Sequence, residues 1–153
     1  RDPSGPVFVA LPFVHEICKQ MIAAIELIAR KEQMNFVVGE HPMNPFAFIP
    51  TSRIQRSENR LTGRNGFSAV LYTATTMGLE AMISGLPVVR FVPERVVSVD
   101  IIPEPLQVPA ADASDLERAL RIAISSEPVA PEADDFFAPA VQDDWIKHTV
   151  GSG

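Results

Sequence analysis

Short apolar runs alternate with amphipathic or small-residue segments along this chain. Residues 7–11 are five apolar residues in a row, and residues 35–39, 67–72 and 87–92 are similar runs. Continuous apolar runs of this length are typical of strands that are covered on both faces. The pattern therefore predicts four buried strands, and a further short strand is expected near residues 97–102.

The segments between the runs carry helical patterns. Residues 17–33, which follow "PFVHE", place apolar side chains on one stripe and predict a first helix. Residues 75–85 predict a second helix that ends at Gly85, because glycine is favoured just beyond a helix and Pro87 cannot continue it. Residues 113–126 predict a third helix, with Ser114 or Asp112 as its cap. Alternating strands and helices predict an α/β fold, a doubly wound, Rossmann-like parallel sheet with helices on both faces.

Two segments do not fit this alternation. Residues 48–65 contain four arginines and few apolar residues, so a polar loop with a short element at residues 53–56 is expected. Residues 128–153 are acidic and rich in proline, and we interpret them as a tail that follows a domain of residues 1–127. The aromatic residues of this tail dock either on the domain or on a partner that is missing; they are Phe136, Phe137 and Trp145.

Composition narrows the functional classes. The formal net charge of -6 argues against non-specific binding to nucleic acid or to an anionic membrane. No apolar run reaches the roughly 20 residues of a membrane helix, and no signal-peptide pattern is found. The single Cys18 cannot form an intrachain disulfide, so a reducing cytoplasmic location is expected. The first residue, Arg1, and the final Gly-Ser-Gly are typical of a fragment.

The turn "TATTMG" is the strongest candidate for chemistry. Right-handed crossovers place every strand-to-helix turn at one edge of a parallel sheet, where ligands of such folds bind. Hydroxyls of Thr73, Thr75 and Thr76 together with helix N-terminal amides can hold a phosphate. Gly78 removes a side chain where a ligand or neighbouring backbone can approach. The alternative is that one threonine simply caps the helix, which accounts for one threonine and not for three.

Four further polar residues are expected at the same edge. Glu80 lies four residues after Thr76, hence on the same helical face, and can accept two hydrogen bonds from a ribose diol; the alternative is a solvated glutamate. His41, which Pro42 holds rigidly, can donate to a phosphate, although a simple turn histidine is the commoner outcome. His15 and Glu16 can contact an acceptor sugar or cap the first helix.

Several motifs are absent from the sequence. It has no Gly-x-Gly-x-x-Gly after the first strand, no Gly-Lys-Thr or Gly-Lys-Ser loop, and no Gly-x-Ser-x-Gly elbow. No Cys or His cluster has metal-ligand spacing, so no metal is predicted. Nicotinamide-dependent dehydrogenases, P-loop NTPases, zinc enzymes and α/β-hydrolases are therefore disfavoured.

The sequence resembles the C-terminal, donor-binding domain of bacterial GT-B glycosyltransferases that build surface or capsular polysaccharide. The resemblance rests on "VFVALPF…HE", "FVVGEHPMNP" and "VLYTATTMGLEAMISGLPVV", which together cover residues 7–92. It implies that His41, Thr75, Thr76 and Glu80 contact the donor nucleotide and its phosphates, with Thr73 and Gly78 in support. Relatives with cytidine-linked donors often carry a basic residue before the His-Pro pair, whereas this chain has Glu40.

The resemblance also implies what this chain lacks. The family has two domains with the cleft between them and usually carries its catalytic base on the N-terminal one, so no catalytic residue is assigned here. The implied function is binding of a nucleotide-sugar donor, a substrate and not a cofactor, for transfer to a polysaccharide or glycolipid acceptor. The isolated chain is then expected to be inactive, and the full-length enzyme to be cytoplasmic or peripheral at the inner membrane face.

Two other hypotheses remain open at this stage. Sugar-nucleotide 2-epimerases share the architecture and have an "HPxNP" stretch similar to residues 41–45, but they usually carry a Ser-Gly-Gly turn where this chain has "TATTMG". An epimerase isomerises a UDP-sugar without an acceptor, which distinguishes the two enzymes. A non-catalytic, doubly wound module that binds a protein partner would explain the acidic tail, but leaves the clustering of polar residues to chance.

Overall fold

The computed structural model describes residues 1–32, 34–57, 66–100, 102, 106, 108–128 and 131. The strands of this part are β1 (Val7–Ala10), β2 (Phe36–Gly39), β3 (Ile54–Arg56), β4 (Ala69–Tyr72), β5 (Val88–Phe91) and β6 (Ala110–Ala111). The helices are α1 (His15–Lys31), α2 (Met77–Ile83) and α3 (Leu116–Ser125). All strands are parallel, in the order β3-β2-β1-β4-β5-β6. The predicted fold class, a doubly wound Rossmann-like sheet, is confirmed.

Helices cover both faces of this sheet. Val7, Val9 and Leu71 point to the face that α1 and α3 cover, where they join the larger apolar core. Phe8 and Tyr72, which alternate with them along the strands, point to the face that α2 covers. The strands therefore bury side chains on both sides, and this explains why their sequences are continuous apolar runs instead of alternating ones.

The end of α2 follows the sequence prediction. Gly85 has φ +70° and lies directly after the cap residue Ser84. The amide of Gly85 donates to the Met82 carbonyl at 2.8 Å, and the amide of Leu86 donates to the Ala81 carbonyl at 3.0 Å. This pair of bonds is a Schellman motif, in which glycine takes the left-handed position at no steric cost.

The predicted strand near residues 97–102 is wrong over the described residues 97–100, and the last strand is β6 instead. Arg90 donates to the Ser98 carbonyl at 2.9 Å, and the Asp100 carboxylate accepts from the Tyr72 hydroxyl at 3.3 Å. This segment is therefore bound to side chains of β4 and β5, and Val97 is 90% exposed instead of facing the core.

The predicted cap of α3 is also corrected. The cap position is Asp115, without a side-chain cap bond. Asp112 instead accepts hydrogen bonds from the amides of Ser114 at 2.8 Å and Asp115 at 3.2 Å, which forms a turn just before the helix. In the polar loop, β3 is the short element expected at residues 53–56. Residues 58–65 and 132–153, which include most of the predicted tail, lie outside the described residues.

Tyr72, the only tyrosine of the chain, lies in the apolar core beneath α2, and only its hydroxyl meets polar side chains. Its side chain is fully buried, its hydroxyl donates to Asp100, and Arg90 Nε lies 3.5 Å from the same carboxylate. Burial, followed by the negative charge of Asp100, raises the pKa of Tyr72 well above its ordinary value.

We expect the absorbance of tyrosinate to appear in the native protein only far above the ordinary phenol pKa of about 10, and near that value in the denatured chain. The folded state keeps the proton that the unfolded state loses, so stability falls as pH rises above about 10. Asp100→Asn removes one cause of the shift and should lower the native pKa. Native titration at the ordinary value would contradict the buried placement of Tyr72.

Candidate functional site

The strand order places the "TATTMG" turn at the point where the order of the sheet reverses. β1 pairs with β2 on one side and with β4 on the other, so the chain leaves β1 and β4 in opposite directions across the sheet. In doubly wound sheets, ligands bind at the carboxyl ends of the strands where the order reverses in this way. Here that position lies between the turn after β1, residues 11–14, and the turn after β4, residues 73–76.

The turn after β4 has an uncommon backbone. Ala74 adopts φ +46°, in the left-handed region that residues with a Cβ atom rarely occupy. The kink separates Thr73, which is fully buried, from Ala74, which is exposed. Backbone strain of this kind persists where the surrounding structure holds it, and it is concentrated at binding sites.

Two hydroxyls of this turn are buried without a partner. Thr73 Oγ1 and Thr75 Oγ1 form no hydrogen bond with the part of the chain that the structure describes. An unpaired buried hydroxyl costs roughly 1–3 kcal/mol, and most such groups in native proteins have a partner. Neither oxygen has accessible surface in this conformation, so acceptor oxygens of a ligand would satisfy the two hydroxyls only after the turn opens.

Thr76 and Glu80 form the exposed part of the same site. Thr76 Oγ1 lies 3.4 Å from Glu80 Oε1, so the predicted shared helical face is what the structure has. Thr76 occupies the cap position of α2, but its side chain forms no cap bond. Helix capping therefore does not account for the threonines, and both side chains face solvent at the crevice.

Gly78 serves packing. A Cβ atom at this position would lie 2.6 Å from the ring of Tyr72, on the buried side of α2. The close neighbour is thus a side chain of β4, neither ligand nor backbone, and Gly78 supports the site by letting α2 lie close to the sheet.

His41 lies apart from the threonines. It follows β2, and β1 separates β2 from β4, so the two strands are roughly 10 Å apart at two strand spacings. Its Nδ1 accepts from the Met43 amide at 3.3 Å, and its ring packs edge-to-face on Phe13 at 5.4 Å. Asn44 Nδ2 also donates to the Phe13 carbonyl at 2.7 Å. The His41 turn and the threonine turn therefore flank the turn after β1.

Sequence reasoning missed Arg56 and Phe13 at this edge. Arg56, the last residue of β3, forms an ion pair with Glu40 and lies 4.7 Å from the centre of the Phe48 ring. Arg56 therefore neutralises the charge of Glu40, the residue before His41. Phe13 is 57% exposed beside the crevice. The position of Phe13 at the site could have been predicted, because an aromatic residue directly follows a buried strand. The position of Arg56 could not, because it depends on β3 pairing with β2.

His15 and Glu16 begin α1 at the same edge and are both exposed. His15 packs edge-to-face on Phe46 at 5.4 Å, and Glu16 pairs with Lys19 at 3.4 Å. The cap position of α1 is Val14, and no side chain provides a cap bond. Both residues therefore remain available to a ligand.

The described residues contain neither a metal-binding cluster nor a membrane-spanning helix. Among them, no three His, Cys, Asp or Glu side chains are grouped closely enough to hold a metal ion. No helix in those same ranges is long and apolar enough to cross a membrane.

Solved structures share this fold. No protein-family model and no curated protein matches the chain. The crystal structure of the glycosyltransferase of kitacinnamycin aligns with a TM-score of 0.57 and 12% identity over 85% of this chain and 37% of that one. TarM aligns with a TM-score of 0.52 and 16% identity over 79% of this chain and 29% of that one. The chain therefore has a glycosyltransferase-like fold and spans about a third of the length of these structures.

Proposed function

We propose that this chain is the nucleotide-sugar-binding domain of a GT-B glycosyltransferase. The observation that carries the proposal is the pair of buried, unpartnered hydroxyls of Thr73 and Thr75 at the point where the strand order reverses. A diphosphate offers several acceptor oxygens, and threonine hydroxyls and helix-start amides are donors. Because α2 has only seven residues, we assign most of this contact to the hydroxyls and not to a helix dipole.

The Thr73 and Thr75 hydroxyls are proposed to contact the phosphates, and the exposed Thr76–Glu80 pair to contact the ribose of the same nucleotide. A carboxylate one helical turn beyond the phosphate contact can accept both hydrogen bonds of a ribose diol, and hydrogen bonds to charged groups are stronger than neutral ones. His41 lies on the far side of the β1 turn, where it can donate to the distal phosphate or to the sugar. No metal or cofactor is part of this proposal.

The rest of the enzyme is proposed to lie outside this chain. Both neighbours are about three times as long as the aligned part, which supports a second domain on the other side of the crevice. That domain would carry the catalytic base and bind the acceptor, a surface polysaccharide or glycolipid. The parent enzyme is proposed to be cytoplasmic or peripheral at the inner membrane face, and the isolated chain to be inactive.

Replacement of Thr76 or Glu80 by alanine tests the proposal. Each substitution removes about 1 kcal/mol or more of hydrogen bonding, so nucleotide affinity should fall at least about fivefold. Titration calorimetry or thermal shift with the nucleotide that binds the wild-type protein measures the change. Glu26→Ala, which removes a half-buried carboxylate on α1 that pairs with Arg30, is the matched control and should bind like the wild type. Unchanged affinity in both site variants would overturn the assignment.

A further inference from the structure

An apolar groove lies at the amino-terminal edge of the sheet, opposite the candidate site. Its volume is about 210 Å³. It lies where β5 and β6 begin and where α3 ends, and mostly apolar side chains line it; among them are Met82, Leu86, Leu106, Val108 and Ile122. Ile122 is 54% exposed although it is a large aliphatic residue on a helix. A cavity of on the order of 150 Å³ accommodates a benzene ring, so the groove fits an aromatic side chain.

The sequence that follows this groove contains two adjacent aromatic residues. Pro128 lines the rim, and Phe136 and Phe137 follow it in the sequence. Phe136 is eight positions after Pro128, and at most about 3.5 Å per position this stretch spans up to roughly 28 Å. Two adjacent aromatic residues are thus tethered within reach of every part of the groove, and the tether makes their effective concentration high.

One cation lies on the side of α3 that faces the groove. Asp134 and Asp135 directly precede the two phenylalanines. Arg118 lies four residues before Ile122 and therefore on the same side of α3, where its side chain is 74% exposed and pairs with Asp115, whereas Glu127 is the charged residue of the groove lining itself. An acidic pair next to the aromatic pair can approach this cation while the rings enter the groove.

We propose that Phe136 and Phe137 dock in this groove of the same chain, with Asp134 and Asp135 next to Arg118. The docked segment covers the exposed side of Ile122 and closes the apolar edge between α3 and the start of β5. Because the groove lies at the opposite edge from Thr73 and Thr75, docking leaves the candidate site open. The inference does not depend on the proposed function.

Methyl NMR of the full chain tests the docking. Aromatic rings shift nearby methyl resonances upfield, so the methyl groups of Ile122, Leu106 and Val108 should move downfield in a Phe136→Leu/Phe137→Leu variant. This variant keeps the side chains apolar, and Trp145→Leu in the same segment is the control that should leave these methyl groups in place. Equal groove methyl shifts in the double variant and the wild type would overturn the proposal.

Dilution of the protein distinguishes docking within one chain from docking by a second molecule. Docking within one chain predicts methyl shifts that do not change with protein concentration. Shifts that return to the variant values on dilution would assign the groove to a second molecule, and would also overturn the proposal. Arg118→Glu should reduce the upfield shifts, because it places a like charge beside Asp134 and Asp135.

Discussion

Gly78→Val is expected to lower the free energy of unfolding by about 3 kcal/mol or more, at the upper end of overpacking effects. A Cβ atom at Gly78 already lies 2.6 Å from the Tyr72 ring, and valine adds two methyl groups to it. The ring cannot move away easily, because Tyr72 is fully buried and its hydroxyl is bonded to Asp100. Either α2 or the end of β4 must therefore shift.

Urea denaturation measures this loss as a lower midpoint at an unchanged slope. Glu80→Val places the same β-branched side chain on the exposed side of α2, where only the helix-propensity cost of about 0.5 kcal/mol applies. Gly78→Ala should fall between the two. A Gly78→Val protein as stable as the wild type would show that α2 does not lie against Tyr72.

The double substitution Thr73→Val/Thr75→Val is expected to stabilise the protein while it weakens nucleotide binding. Valine has the shape of threonine without the hydroxyl, and both Oγ1 atoms are buried without a partner among the described residues. Removal of two unsatisfied groups should add about 2 kcal/mol in total, or about 4 °C in Tm for each kcal/mol. Sites that gain stability when function is removed are typical of binding residues.

Thr51→Val is the matched control for this experiment. Thr51 Oγ1 accepts from the amides of Arg53 at 3.3 Å and Ile54 at 3.1 Å, so its loss should lower the melting temperature. A double variant that melts below the wild type would mean that the Thr73 and Thr75 hydroxyls already have partners within the protein, and they would then have no free capacity for a phosphate.

The fold was predictable because this sheet buries both faces of its strands. Runs such as residues 69–72 consist of large or small non-charged side chains that are all buried, and the Gly85 and Pro87 pair ends α2 through local sequence. The strand expected near residues 97–102 failed for the opposite reason. Its valines alternate with Ser98 and Asp100, whose partners Arg90 and Tyr72 come from other strands, and such long-range bonds leave no local pattern.

The sequence predicted which turn forms the candidate site, but not the backbone conformation of the turn or the residues beside it. The sequence shows three threonines before a helix, but only the backbone shows that Ala74 kinks the turn and that Thr73 is buried. The sequence predicted that His41 lies at the same edge, whereas the strand order places β1 between it and the threonines. Contacts that depend on strand order, such as the pair of Glu40 and Arg56, cannot be deduced from spacing along the chain.

The central claim is that a nucleotide binds at the turn after β4, and an amide-resolved NMR titration of the wild-type chain tests it most directly. CMP, UDP, CDP and GDP are added separately up to the millimolar range, since an open half-cleft is expected to bind weakly. The account predicts that at least one nucleotide shifts the amides of residues 73–80 and saturates. If none of the four shifts these amides, or if the shifts lie only elsewhere, the claim is contradicted.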